Sequence, residues 1–303
     1  MEEILKKLLS SANIQKFGKG GGGCINHGQG YLTDSGSVFV KENSKPGARL
    51  MFEGEFEGLK ALNATGCIRV PKPIKVIDLP GGGAACVMEY IEMRGLGAQA
   101  AELGQQLARL HLHNASLKTD GNSESGELVT KFGFHVSTCC GYIPQDNTWH
   151  DDWPTFYSNC RLCPQIEMAV KEHRDTALKE KWSKLEPRIP GFFGGIDIFP
   201  SLLHGDLWSG NAASAEGTGE PVIFDPAVVY GHHEFDLAIA TMFGGFGKAF
   251  FNSYHKVIPK SPGFERRQQL YRLFHYLNHY NHFGSGYRGS CLEILDELNA
   301  ADA

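Results

Sequence analysis

The octapeptide His204-Gly205-Asp206-Leu207-Trp208-Ser209-Gly210-Asn211, followed by Ile223-Phe224-Asp225-Pro226, carries three oxygen-bearing side chains at a spacing suited to phosphoryl transfer. Asn211 lies five residues after Asp206, and Asp225 fourteen after Asn211. A carboxylate at Asp206 can accept the proton of an attacking hydroxyl. The amide oxygen of Asn211 and the carboxylate of Asp225 can hold Mg²⁺ against the phosphates of ATP. Taken singly, each residue is more often a turn or a cap. In this order they describe kinase-like catalytic machinery.

Upstream elements must deliver the nucleotide to these groups. The glycine run Gly20-Gly21-Gly22-Gly23, the segment 25–32, a turn at 33–36 and Val38-Phe39-Val40-Lys41 read as a β-hairpin. Gly18-x-Gly20-x-x-Gly23 also fits a dinucleotide loop, but that motif needs a helix directly after it, and the hairpin argues against one. A glycine-rich loop joining antiparallel strands, with a lysine on the next strand, is instead the arrangement that covers ATP phosphates. From Arg49 to Leu62 the apolar residues recur near helical spacing, which predicts an amphipathic helix with Glu55 as the partner of Lys41. Segment 84–91 reads as a short apolar strand ending in Met88-Glu89-Tyr90-Ile91, with a lobe boundary near residue 92. Leu103, Leu107 and Leu110 predict a helix over 99–113, and the polar stretch 116–127 reads as a loop. A charged helical region over 160–190, short strands and turns over 198–226, and a last long helix from Phe264 to Phe283 complete the pattern.

Composition narrows the functional classes. With 303 residues, 42% hydrophobic and 21% charged, the chain is of ordinary globular type, long enough for one large or two modest domains. A net charge of -5 and no basic, aromatic-rich tract argue against nucleic-acid binding. No leader-like amino terminus and no 18-residue apolar run is found, so a cytoplasmic, membrane-free enzyme is expected. Eight cysteines at irregular spacings, two of them adjacent, fit reduced thiols better than a disulfide framework. Cys160-Arg-Leu-Cys163 is a lone CxxC without a second ligand pair, so it is read as structural rather than zinc-binding.

Lys41, Glu55, the HGDLWSGN loop and IFDP, together with MFEGE at 51–55, KFGF at 131–134, TCCGYIPQ at 138–145 and YLNHYNHFGSGYRG at 276–289, closely resemble the fructosamine kinase (ketosamine-3-kinase) family, in its vertebrate type. The resemblance implies a mixed α/β (α+β), bilobal, protein-kinase-like fold. Residues 1–92 would form a small antiparallel-sheet lobe and 93–303 a mainly helical lobe, with ATP between them. It implies Asp206 as base, Asn211 and Asp225 as Mg²⁺ ligands, and Lys41, oriented by Glu55, on the α- and β-phosphates. Gly20 to Gly23 would cover the phosphates, and Met88, Glu89, Tyr90 and Ile91 would form the hinge whose backbone pairs with adenine. The expected reaction is ATP-dependent phosphorylation of sugar O3 in ketosamines, free or on glycated proteins, leading to deglycation.

The resemblance also places the C-terminal helix and the GSGYRG segment beside the sugar. Trp208, His275, His279, Tyr287 and Arg288 are therefore candidate substrate residues, with Trp149 as a second stacking platform. His275, His279 and His282 share one helix face, but substrate lining or core packing is favoured over a zinc site. Glu234 and Asp236 are expected to tie the catalytic loop in place. Cys24, next to the glycine run, is a candidate redox thiol, because some family members carry a cysteine there that links two chains. The expected state is thus a monomer or a redox-linked homodimer. Gly205 in place of the arginine of protein kinases, and the lack of an A-P-E closure after Asp225, point to a small-molecule acceptor. Rival readings are an aminoglycoside- or choline-type kinase and a redox-sensing pseudokinase.

Overall fold

Period-two alternation along one strand explains how the first third of the chain is layered. The computed structural model describes residues 1–22, 25–120 and 127–300. In it α1 (Glu2–Leu9) precedes β1 (Ile14–Gly22), β2 (His27–Thr33), β3 (Gly36–Asn43), α2 (Ala48–Ala64), β4 (Pro73–Asp78) and β5 (Ala84–Glu89). The five strands form one antiparallel sheet in the order β1-β2-β3-β5-β4. Along β5, Ala85 and Val87 pack with Leu5, Tyr31, Val38 and Val40 on the face covered by α1. Ala84, Cys86 and Met88 face the other way, into the core shared with Phe52, Leu59 and Leu62 of α2. Burial on both faces is what an unbroken apolar strand requires.

The hairpin is correct for β2 and β3, whose turn pairs Thr33 with Gly36. A further strand, β1, runs into the glycine run itself. Side-chain pattern gave no signal there, but backbone pairing with β2 holds, with an irregular register between Phe17 and Gly21.

Beyond β6 (Met93–Arg94) comes α3 (Ala100–Asp120), which is longer than its apolar stripe predicts. Once nucleated, a helix gains one hydrogen bond per added residue, so polar turns can extend it. Then follow β7 (Thr138–Cys140), β8 (Ile143–Gln145), α4 (Trp153–Tyr157), a π-helical turn (Ser158–Leu162), α5 (Cys163–His173) and α6 (Thr176–Leu185). The remaining elements are β9 (Ser201–Leu203), β10 (Ala212–Ala215), β11 (Pro221–Ile223), β12 (Val229–Gly231), α7 (Glu234–Met242), α8 (Gly247–Val257), α9 (Phe264–Phe283) and α10 (Arg288–Ala300). Helix α10 follows the glycine stop that the sequence reading took as the end of the last long helix.

A second core joins α4, α5, α6, α7, α9 and α10 around Trp153, Phe235, Tyr271 and Leu295. The first core spans residue 92, uniting Phe52 and Leu59 with Leu103, Leu107 and Phe250. No helix among the described residues is long and apolar enough to cross a membrane.

Candidate active site

Two short antiparallel ladders bring the motif residues together. β9, just before His204, pairs with β12, just after Asp225, while β10, just after Asn211, pairs with β11, just before Phe224. Their connecting loops are stitched by Ala227 N donating to His204 O at 2.8 Å and Phe224 N to Asn211 O at 3.1 Å. His204 adds a side-chain link: its Nε2 donates to Phe224 O at 2.9 Å, and its Nδ1 accepts from Asp206 N at 3.2 Å. One nitrogen donates and the other accepts, so the ring is neutral, and burial lowers its pKa accordingly.

Gly205 explains why no side chain fits at this position. Its φ is +84°, and a Cβ would lie 2.0 Å from Ala227 O. Its N–H and that of His204 each donate to Asp236, at 2.7 Å to Oδ1 and Oδ2 respectively. Asp236 thus ties the catalytic loop as expected. Glu234 does something else: it makes a fully buried two-point pair with Arg267 of α9, at 2.8 and 2.7 Å. The neighbouring His232 bonds Tyr271, so this buried group serves packing between α7 and α9.

Asn211 Nδ2 donates to Asp206 O at 2.9 Å and to Asp206 Oδ2 at 3.2 Å, which directs its amide oxygen away from that carboxylate. Burial, then the charge of Asp225, raise the Asp206 carboxyl well above the usual range. Two carboxylates close enough to influence each other, and an amide oxygen, are chemically a donor set that suits a hard divalent cation. Asp225 takes a left-handed backbone (φ 57°), and its carboxylate meets Lys41 Nζ. Lys41, on β3, also reaches Glu55 Oε1 of α2 at 2.7 Å, with both groups buried. Burial disfavours the Lys41 ammonium, but Asp225 and Glu55 outweigh that and raise its pKa. Burial raises Glu55 too, with Lys41 opposing.

Met88 and Glu89 end β5 opposite Phe39 and Val38 of β3. Tyr90 stacks edge-on against Phe17 of the glycine strand, with ring centres 4.7 Å apart. Glu89 is held by Arg69 and Lys72 N, and Ile91 follows at the junction. Gly20, Gly21 and Gly22 lie in β1, whereas Gly23 and Cys24 fall outside the described residues.

On the far side of Asp206, aromatic rings line up along the surface. Trp208, 37% exposed, meets Phe243 at 5.7 Å; Phe243 meets His279 at 5.1 Å, and His279 meets Tyr287 at 5.1 Å and Phe283 at 5.6 Å. Trp208, His279 and Tyr287 therefore do share one wall. Phe243 and the 55% exposed Phe283 belong to it as well. The sequence reading missed both, although an aromatic one helical turn after His279 was a usable signal for Phe283.

His279 Nδ1 donates to His275 O at 2.8 Å, so in the neutral ring Nε2 is left as an acceptor; burial lowers its pKa. His282 makes the same local bond to Asn278 O, but its Nε2 accepts from Tyr142 N at 3.1 Å. The three histidines do not converge.

His275 departs from the expected cleft position. It is fully buried between Phe235 and Phe274, neither ring nitrogen meets a hydrogen-bond partner among the described residues, and burial lowers it to about 3. Helix periodicity placed it on the right stripe but not at the right depth. Arg288 is likewise committed elsewhere, in a two-point pair with Asp175 at 2.6 and 2.9 Å. Trp149 stacks near Tyr230, outside the wall through Trp208. Cys160 faces His150 and Asp146 while Cys163 donates to Glu186, so the CxxC does not act as a pair.

Comparison with known proteins adds an independent line. The fructosamine kinase family profile matches residues 1–301. A ketosamine-3-kinase of Mus musculus is 52% identical over 310 residues, covering 99% of this chain and 100% of the relative. A chloroplastic protein-ribulosamine 3-kinase of Arabidopsis thaliana is 45% identical over 287 residues, covering 95% and 83%. A solved structure of a candidate fructosamine-3-kinase from Thermobifida fusca superposes with a TM-score of 0.81 at 26% identity, covering 99% of this chain and 98% of that one. The fold is protein-kinase-like and is shared with aminoglycoside phosphotransferases.

Proposed function

This chain belongs to the fructosamine kinase family, and from that premise we propose that it transfers the γ-phosphoryl of ATP to O3 of ketosamines, initiating deglycation. The observation that carries the reading is the meeting of Lys41, Glu55 and Asp225, from three separate elements, beside the bonded pair Asp206 and Asn211. In this reading residues 1–92 form the nucleotide-covering lobe and 93–303 the catalytic and acceptor lobe. The pairing of β6 with β10 directly after residue 92 supports that division.

Asn211 and Asp225 would hold Mg²⁺, which neutralises phosphate charge when bound. Asp206 accepts the proton of the O3 hydroxyl and aims that oxygen. Lys41, kept cationic by its two carboxylates, meets the α- and β-phosphates, Gly20 to Gly23 cover the phosphates, and the hinge 88–91 receives adenine. Trp208, Phe243, His279 and Tyr287 flank the sugar, with His279 Nε2 offered to a hydroxyl or ammonium hydrogen. After transfer, the enaminol of the adduct expels the allylic C3 phosphate, and water hydrolyses the resulting imine to a dicarbonyl sugar and the free amine.

The relatives' names support both fructosamine- and ribulosamine-type acceptors, so the test supplies each sugar on the same amine. ATP should be consumed, with Mg²⁺, only when a ketosamine is present, and ³¹P NMR should place the phosphate on O3. Turnover with choline or an aminoglycoside but with neither ketosamine overturns the assignment.

The free thiols among the described residues support a reducing, cytoplasmic setting. Cys24 is retained as a redox thiol joining two chains, on resemblance alone. The same assay after mild peroxide, on wild type and Cys24→Ser, should show a reducible dimer and loss of activity in wild type only.

A further inference from the structure

Asp236 holds the catalytic loop, and it is itself held. His111 of α3 brings Nε2 to 3.1 Å from Asp236 Oδ2, and the Tyr254 hydroxyl of α8 lies 2.8 Å from the other ring nitrogen, Nδ1. All three side chains are buried. The Asp236 carboxylate already accepts the N–H groups of His204 and Gly205. Burial alone would raise its pKa, yet the bond from His111 leads the contacts that hold it below the ordinary value.

An ionised carboxylate only accepts, so His111 Nε2 must carry the hydrogen. A ring with its one hydrogen on Nε2 presents a lone pair at Nδ1, and the Tyr254 O–H is the group that faces it. The neighbouring His233 ring, 6.3 Å away, is itself kept neutral by burial at about 3. In the opposite tautomer a lone pair on Nε2 would face a carboxylate oxygen, and the contact would turn repulsive.

We propose that Tyr254 is a positioning residue for phosphoryl transfer: its hydroxyl donates to His111 Nδ1 and so holds the ring whose Nε2–H donates to Asp236, and through Asp236 it fixes the backbone that carries Asp206. The proposal rests on the reading of Asp206 as the base. Its reach depends on a close helix crossing. A Cβ on Gly104 would lie 2.3 Å from Phe250 O and 3.2 Å from Tyr254 N, so only glycine lets α8 approach α3 this closely. His111 lies seven residues after Gly104 on the same face of α3 and meets Tyr254 one turn beyond Phe250.

Tyr254→Phe removes only the hydroxyl. In the full-length enzyme it should lower kcat about 10-fold, as loss of an outer partner of a reacting group typically does, and leave the ATP KM unchanged. ¹⁵N spectra of histidine-labelled protein, with the His111 signal identified by its loss in His111→Gln, should still show the Nε2–H tautomer that Asp236 sets, while the Nδ1 resonance shifts with loss of its bond from Tyr254. His111→Gln keeps a donor nitrogen but has no ring nitrogen to accept from Tyr254, so adding Tyr254→Phe to it should cost nothing further.

An unchanged kcat, a lowered kcat with an unchanged Nδ1 resonance, or a wild-type ring protonated on both nitrogens would each overturn the proposal. If wild type phosphorylates no ketosamine, the functional reading fails. The tautomer is still read independently by the spectra.

Discussion

At the scale of single residues, the proposed roles separate a base from a charge clamp. Asp206 is bonded by Asn211, whereas Asp225 faces Lys41, so the two carboxylates should fail differently. Asp206→Asn should preserve nucleotide binding and lower kcat on the order of 10²- to 10⁴-fold, the usual worth of a positioned base. Asp225→Ala should instead weaken Mg²⁺-nucleotide binding, measured by calorimetric titration. Equal loss of ATP affinity in both variants would refute the division of roles. These residues were legible because their chemistry depends on type and order along the chain. His275 and Arg288 were misplaced because helix spacing gives a direction and says nothing of depth or of a remote partner such as Asp175.

At the scale of elements, α7 and α9 are pinned by a pair that water does not reach, Glu234 with Arg267. Removing one partner of such a pair leaves an uncompensated charge. Arg267→Met should therefore destabilise the fold by about 3–5 kcal/mol, read by denaturant unfolding, and a loss comparable to that of a surface ion pair would show that the core relaxes around Glu234. The loop of Asp206, the proposed base, hangs from the same helix through Asp236, so activity should fall before the global fold does. Element positions were largely readable from periodicity, as for α2 and α9. The ends were less so: α3 runs past its apolar stripe, and α10 lacked a strong enough pattern to declare itself after Gly284.

At the scale of the whole molecule, buried neutral histidines set an acid limit. His275 and His233 are each lowered by burial to about 3, whereas histidines of the unfolded chain titrate near about 6.5. The unfolded chain therefore binds more protons between those values. The stability these residues contribute is complete above about pH 6.5 and is lost as pH falls toward 3. Each should remove up to about 1.4 kcal/mol per pH unit in that window. Tm should be lower at pH 5 than at pH 7, and His275→Phe, which replaces the ring among Phe235 and Phe274, should flatten that slope. A slope identical to wild type would exclude His275 as a source.

What the sequence determined by itself is the reaction class and the order of its parts: a glycine run, Lys41 with Glu55, then Asp206, Asn211 and Asp225. Those requirements are local in type and spacing, so one chain read end to end carries them. Only the tertiary structure decided which residues reach one another. Lys41 meets Asp225 across 184 positions, and Tyr254 meets His111 across 143. Phe243, outside the helix that carries His279, joins a wall that no periodicity assembles. Such contacts are set by how helices and sheets pack, and by where a residue as small as Gly104 lets two backbones approach.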